Sequence, residues 1–301
     1  MKKIIIASRD SKLALWQTNF VKSRIESELN IACDVVTMKT QGDIILDKPL
    51  SKIGGKALFM KELEVAMQSG KANIAVHSLK DIPYELPKGF IIASFMPRED
   101  PRDAFVSNDF KSIDNLPQGA VVGTSSLRRK AQLLNYRKDL TIKDLRGNVQ
   151  TRLAKLDRGD YDAIILAGAG LIRLGLQDRV AQFIPIEISL PAVGQGVLAI
   201  EVLEKDKEIL EVLKKLNCLQ SYQTSLAERA FNQELKGGCH VAIAAFATID
   251  EDRIVTLKAR VASSGGETII EREHQGNDPV EVGVKLAQEM ISLGAREILE
   301  L

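Results

Sequence analysis

Apolar residues along this chain fall into two alternating rhythms, short runs that suit strands and longer 3.6-residue spacings that suit helices. KKIIIAS reads as a buried strand. SKLALWQTNFVKSRIESEL follows, with Leu13, Trp16 and Phe20 at helical spacing and Ser11 placed to cap the helix. CDVVTMKT is a second strand, MKELEVAMQSG a helix closed by Gly70, and NIAVHS a short apolar strand. Strand–helix–strand order predicts parallel βαβ units.

MPREDPRDAFVS, with two prolines and mixed charge, suits a crossover. The rhythm then resumes in GAVVGTSSLRRKAQLLN, LTIKDLRGNVQTRLAKLDRG and YDAIILAGAGLIRLG, which predicts a second α/β domain. ISLPAVGQGVLAIEVL reads as a link and a further strand, and SLAERAFNQELKGG as a helix ending just before Cys239. The tail differs. HVAIAAFATID, RIVTLKARVASS and ETIIEREHQG predict an antiparallel meander, and NDPVEVGVKLAQEMISLGAREILE a closing helix with Asp278 ahead of Pro279.

Length and composition set bounds on this picture. The 301 residues suffice for two or three domains, and 45% hydrophobic with 27% charged content is that of an ordinary globular protein. A net charge of +1 gives no global pull toward nucleic acid or an acidic membrane, so any electrostatic specialisation is local. No apolar stretch approaches the roughly 18 residues of a spanning helix, and the apolar part of MKKIIIASRD is too short for a signal peptide. The three cysteines form no CxxC, the three histidines stand far apart, and HExxH is missing. No disulfide framework or metal site is expected, and the cytoplasm is the default compartment.

Charge is concentrated between positions 121 and 156, with nine Lys or Arg against two Asp and no Glu. Thr124, Ser125 and Ser126 follow the apolar AVV run, where a βα turn leaves backbone N–H groups and a helix dipole open to an anion. Arg128 and Arg129 add fork-shaped donors suited to carboxylate or phosphate. Arg146 and Arg152 stand near the next helix start, Arg173 after the next strand, and Arg9 after the first. Ligands of open α/β sheets bind beyond the carboxyl ends of strands; each arginine alone reads sooner as a solvated side chain, but their repeated placement at strand ends points to a polyanionic ligand. Neither a phosphate loop nor a dinucleotide fingerprint is present, and 5% aromatic content argues against a stacking surface for nucleic acid. AVHSLKDIP places Lys80 and Asp81 at the end of a buried strand, where a carboxylate either stabilises a cation or caps a polar turn. QGDIILDKPLSKIGGKAL, with Lys52 and Lys56, is either a solvated loop or an active-site lid. In LKGGCHVAIAAFA two glycines clear room beside Cys239, whereas Cys33 reads as a small buried hydrophobe and Cys218 more weakly so.

Together, GGKALFMKELEVAM, IAVHSLKDIP, REDPRDAFVS, VGTSSLRR, LRGNVQTRLAKLDRGDYDAIILAGAGLIRLGL, LPAVGQG and AERAFNQELKGGC resemble the porphobilinogen deaminase (hydroxymethylbilane synthase) family over nearly the whole chain. The resemblance implies two periplasmic-binding-protein-like (type II) α/β domains with a smaller C-terminal α+β domain. It divides the chain into 1–97 with 192–216, 98–191, and 217–301. It implies a transferase that condenses four porphobilinogen units head to tail on a dipyrromethane primer, releasing ammonia each time, and then hydrolyses off hydroxymethylbilane for tetrapyrrole synthesis. By position, Cys239 bears the dipyrromethane as a thioether. Lys80, Asp81, Thr124, Ser126, Arg128 and Arg129 match the cofactor-holding positions. Arg9, Ser11, Arg146, Arg152 and Arg173 match the positions that bind substrate carboxylates. Asp81 matches the catalytic carboxylate, and Lys52, Lys56 and Phe59 match the lid. The resemblance further implies a monomer with no nucleic-acid or membrane partner. One departure concerns the residues after the cysteine, where His240, Val241 and Ala242 replace the family's usual Gln or Ser, any residue, Pro. The alternative is a non-catalytic anion-binding or effector-sensing protein of the same two-domain shape, which needs neither Asp81 nor a thiol-linked group.

Overall fold

The computed structural model describes residues 3–44, 59–238 and 241–300. The chain separates into two compact units, Met1–Glu99 with Val197–Tyr222, and Asp100–Gly196 with Gln223–Leu301.

In the first unit, β1 (Lys3–Arg9), α1 (Lys12–Leu29), β2 (Ala32–Met38), α2 (Gln41–Ile44), α3 (Lys61–Gln68), β3 (Ile74–Ser78) and β4 (Phe90–Phe95) follow in order. Side chains alternate across a strand, so β1 serves two cores. Ile4 and Ile6 pack with Val21 and Ile25 of α1, while Ala7 and the flanking Ile5 pack with Leu63, Ala66 and Met67 of α3. The buried face of α1 departs from the expected one. Gln17, Thr18, Val21 and Ile25 are buried, whereas Trp16 is 37% exposed and stacks on Phe20 with centroids 5.5 Å apart. Gln17 and Thr18 go inward because partners await them: Gln17 Nε2 donates to Ser78 Oγ at 2.9 Å, and Thr18 Oγ1 to Ser8 Oγ at 2.8 Å.

The second unit opens with β5 (Asp103–Val106), β6 (Val121–Gly123), α4 (Leu127–Tyr136), β7 (Thr141–Lys143), α5 (Val149–Asp157), β8 (Ala163–Ala167), α6 (Gly168–Arg173) and β9 (Gln182–Phe183). Phe105, Val122 and Ile165 face Leu133 of α4, and Ala104, Val106 and Ile164 face Leu153 and Leu156 of α5. The chain next returns to the first unit as β10 (Leu198–Leu203) and α7 (Lys207–Leu213).

Both sheets are mixed rather than purely parallel. The first runs β2-β1-β3-β10-β4 and the second β7-β6-β8-β5-β9. In each, three parallel strands are followed by one antiparallel strand supplied from a distant part of the chain, β10 against β3 and β5 against β8. This is the expected type II periplasmic-binding-protein-like topology, repeated twice. The C-terminal ends of the parallel strands and the N-terminal end of the antiparallel one therefore share an edge: Leu198 faces Ser78, and Asp103 faces Ala167.

After α8 (Leu219–Glu234), the expected meander forms as β11 (Ala242–Ile249), β12 (Val255–Ala262) and β13 (Ile269–Gly276) in that order. One face is covered by Ala227 and Phe231 of α8 and by Val282, Leu286 and Met290 of α9 (Pro279–Ser292). Asp278 caps α9 by accepting from Val280 and Glu281 N–H. The expected single closing helix is two, because Gly294 takes φ 90° and the chain restarts as α10 (Ala295–Leu299). α8 ends at Glu234, earlier than expected, and Lys236 enters the left-handed region at φ 49°. At Gly237 an added Cβ meets Asn232 Oδ1 at 2.0 Å and Ile243 Cδ1 at 2.8 Å, so the missing side chain admits these two residues, while the room expected beside Cys239 lies outside the described residues.

Candidate active site

The shared edge of the first sheet carries one cluster. β3 ends at Ser78 and turns into a single 3-10 turn, Leu79–Asp81, pinned by Leu79 N–H donating to Val197 O at 2.9 Å. That turn sets Lys80 and Asp81, both half-buried, at the strand end. Among the described residues, no side chain or backbone N–H donates to the Asp81 carboxylate. Ser11 caps α1 by accepting from Ala14 N–H, so its hydroxyl fixes the helix start beside Arg9. The Arg9 guanidinium carbon lies 4.4 Å from the ring centroid of Phe59, and Gly42 admits that ring, since a Cβ there would stand 2.2 Å from it. Of the lid residues only Phe59 is described; Lys52 and Lys56, like Cys239 and His240, lie outside the described residues.

Behind β3 sits a polar group that sequence reasoning missed. Glu201, in the middle of the apolar run LAIEVL of β10, is fully buried and lies 2.9 Å from His77 Nε2. Burial, and then the Glu201 charge, push the half-buried Glu64 carboxyl of α3 up to about 7, against the opposite pull of His77. The folded chain thus holds a proton that the unfolded chain has released, and stability falls as pH rises from the ordinary 4.5 to about 7. Glu64→Gln is expected to match the parent at pH 4 and to exceed it at pH 8 by about 1–2 kcal/mol, after allowance for solvent screening. Urea denaturation at the two pH values checks this; a variant weaker than the parent at pH 8 contradicts it.

The second sheet's edge carries the basic cluster. Ser126 caps α4 by accepting from Arg129 N–H, and Thr124 Oγ1 accepts from Ser126 N–H at 3.2 Å, so both hydroxyls shape the turn. Asn148 caps α5, Arg152 Nε donates to Gly147 O at 2.7 Å, and the Arg146 side chain has no partner among the described residues. Arg173 is buried and donates to Gly196 O at 2.6 Å. Arg128 and Arg129, 5% and 6% exposed, converge on Asp103, which is fully buried. Arg128 Nη1 and Nη2 reach the two Asp103 oxygens at 2.8 and 3.1 Å, and Arg129 Nε and Nη2 reach Oδ1 at 3.0 and 2.8 Å. Burial alone would raise the Asp103 carboxyl, but the two guanidinium groups hold it well below the usual carboxylate range. Burial lowers Arg128, Asp103 raises it, and Arg129 lowers it further. Two cations share one carboxylate, so the cluster keeps an excess positive charge at the N-terminus of a ten-residue helix whose first turn has no acid. Such a donor set fits a ligand rich in carboxylates.

Sequence reasoning named these arginines but missed Asp103, though it opens the otherwise apolar strand DAFV. It also missed Ser189 and Gln195, which donate to Asp103 at 2.7 and 2.9 Å. Cys33 is buried as expected, and burial pushes its thiol up to about 11.

Arg128→Leu removes one cation from this centre and is expected to yield a less stable protein purified largely without a bound cofactor. Breaking a buried pair costs up to about 3–5 kcal/mol, so Arg128→Lys, which keeps the charge, separates loading from folding and should load partially. Arg158→Leu is the control, since the Arg158 side chain is 63% exposed and, among the described residues, pairs only with neighbouring Asp160 at 2.7 Å. Full loading and normal turnover of Arg128→Leu would show the arginine to be dispensable.

A sequence model described as "Porphobilinogen deaminase, dipyromethane cofactor binding domain" matches residues 4–211, and one described as "Porphobilinogen deaminase, C-terminal domain" matches residues 222–292. The chain is 72% identical over 300 residues to a curated porphobilinogen deaminase of Francisella tularensis subsp. holarctica (strain FTNF002-00 / FTA), covering 100% of both chains. It is 71% identical, with the same coverage, to that of subsp. novicida (strain U112). Among solved structures, a methionine-binding protein, MetQ, is similar at a TM-score of 0.44 and 16% identity, covering 77% of this chain and 94% of the other. Among the described residues no helix is long and apolar enough to cross a membrane.

Proposed function

This chain belongs to the porphobilinogen deaminase family, and from that membership we propose how its own residues divide the work. The reaction is the head-to-tail condensation of four porphobilinogen units with loss of ammonia, followed by hydrolysis to hydroxymethylbilane. The dipyrromethane of this family supplies the primer on which the chain of pyrroles grows. Cys239 is its attachment point. Arg128 and Arg129, with Thr124, Ser126 and Lys80, hold its acetate and propionate groups. Arg9, Ser11, Arg146, Arg152 and Arg173 receive the carboxylates of porphobilinogen.

Asp81 is the catalytic carboxylate. As ammonia leaves porphobilinogen, positive charge spreads into the pyrrole, and a fixed negative group beside the pyrrole N–H stabilises it. The observation that carries this reading is the half-buried Asp81 carboxylate, set at a strand end by a pinned turn and accepting no hydrogen bond from the described residues. Residues 217–301 form the third, cofactor-bearing domain, and Phe59 with Lys52 and Lys56 belongs to the lid. The protein works as a monomer in the cytoplasm, with no nucleic-acid or membrane partner.

The deciding experiment is the intact mass of the denatured protein made in cells that produce porphobilinogen. An excess of one dipyrromethane, mapping to the peptide that contains Cys239, is the expected result. A bare chain overturns the reading.

A further inference from the structure

Two neighbouring residues of the short segment Val193–Gly196 bear on the arginines, Gln195 through its side chain and Gly196 through its carbonyl. Gln195 is 1% exposed. Its amide nitrogen donates to Asp103 Oδ1 at 2.9 Å and to Pro101 O at 2.6 Å, which uses both of its hydrogens. Asp103 Oδ1 is the same oxygen that receives Arg129 Nε and Nη2. On the other side of Gln195, the Gly196 carbonyl accepts from Arg173 Nη2 at 2.6 Å.

The backbone explains why two adjacent residues reach both centres. Gly194 and Gly196 take φ 72° and 90°, a region that side chains rarely adopt, so the chain turns sharply on each side of Gln195. Gly194 N–H is fixed by the fully buried Glu228 of α8 at 2.6 Å, and Glu228 also accepts from Ala247 N–H at 2.9 Å. Gln195 therefore stands on an anchored turn. Its side chain completes the coordination of Asp103 without adding a third cation, and its neighbour's carbonyl orients Arg173.

We propose that Gln195 is a positioning residue for carboxylate binding: it fixes the Arg128–Arg129 pair, through Asp103, in register with Arg173. This rests on the roles given above to those arginines. Gln195 touches no reacting atom, so it governs affinity for a carboxylate-bearing substrate and leaves the chemical step alone.

The test is steady-state kinetics of Gln195→Met, which keeps the shape and loses both donations, with cofactor loading by intact mass and thermal melting measured alongside. The expected result is a KM for porphobilinogen raised about tenfold with kcat within about threefold, as two ordinary hydrogen bonds imply. Refilling of the apo chain on addition of porphobilinogen should slow as well. A merely structural role would lower the melting temperature and the active fraction while leaving KM unchanged, and that outcome overturns the proposal. If the Met variant does not fold, Gln195→Glu serves. Its carboxylate faces Asp103 and Pro101 O in place of a donor, and KM should rise further; a KM equal to the parent's overturns the proposal. A bare parent chain sinks the cofactor reading itself, whereas a loaded, active parent with an unaffected variant KM removes only the role of Gln195.

Discussion

Cys239→Ala is expected to give a folded protein with the bare mass of its sequence and no detectable hydroxymethylbilane formation. The thioether is the covalent tether the family chemistry requires, and alanine offers no nucleophile to form it. Cys33 is closed off inside the first unit with its thiol raised to about 11. Cys218 donates its backbone N–H to Phe95 O at 2.8 Å and follows the 3-10 turn of Lys214–Leu216. Cys33→Ala should keep the adduct and lose only some packing. An adduct surviving in Cys239→Ala would move the attachment to another residue.

Asp81→Asn is expected to lower turnover by at least about two orders of magnitude, the range of a positioned acid–base group, with loss of charge stabilisation adding to it. Folding should survive. The carboxylate carries no hydrogen bond from the described residues, and the turn that holds it depends on the Leu79 and Ile82 backbone N–H groups, not on the Asp81 side chain. Asp81→Glu keeps the charge one methylene out of place and should work somewhat better than Asp81→Asn. Circular dichroism and intact mass must first confirm a folded, loaded variant. Activity of such an Asn variant within about threefold of the parent would remove Asp81 from the mechanism.

The residues of the site that were legible in the sequence are those announced by local pattern. Apolar runs ending in Ser-Leu-Lys-Asp or Thr-Ser-Ser-Leu-Arg-Arg mark strand ends, and cap residues such as Ser11, Ser126 and Asp278 mark helix starts, as the structure bears out. The family resemblance supplied the roles. What stayed hidden depends on partners far along the chain. Asp103 meets Arg128 across 25 residues, Gln195 meets Asp103 across 92, and His77 meets Glu201 across 124. A lone charge in an apolar strand is visible, but its counterpart is not. The α1 face was misjudged for a related reason: hydrophobic spacing assumes that polar residues face water, whereas Gln17 and Thr18 find buried hydroxyls. The antiparallel strands were missed because order along the chain says nothing of which strand inserts beside a distant one, as β10 does beside β3 and β5 beside β8.

The placement of β10 bears on how the protein is made. β3 and β4 are separated in the first sheet by a strand that leaves the ribosome only about a hundred residues after β4. Until then, the nascent N-terminal segment has β2, β1 and β3 able to pair, while β4 waits for a neighbour and β3 presents a bare hydrogen-bonding edge. The whole of Asp100–Gly196 is synthesised during that wait. Such late, long-range closure favours slow assembly and an interval of vulnerability to strand-to-strand association with other nascent chains. A fragment ending before Val197 therefore needs a chaperone or a synthetic β10 peptide to stay dispersed, and the full-length chain completes its first sheet only after every strand of the second has been translated.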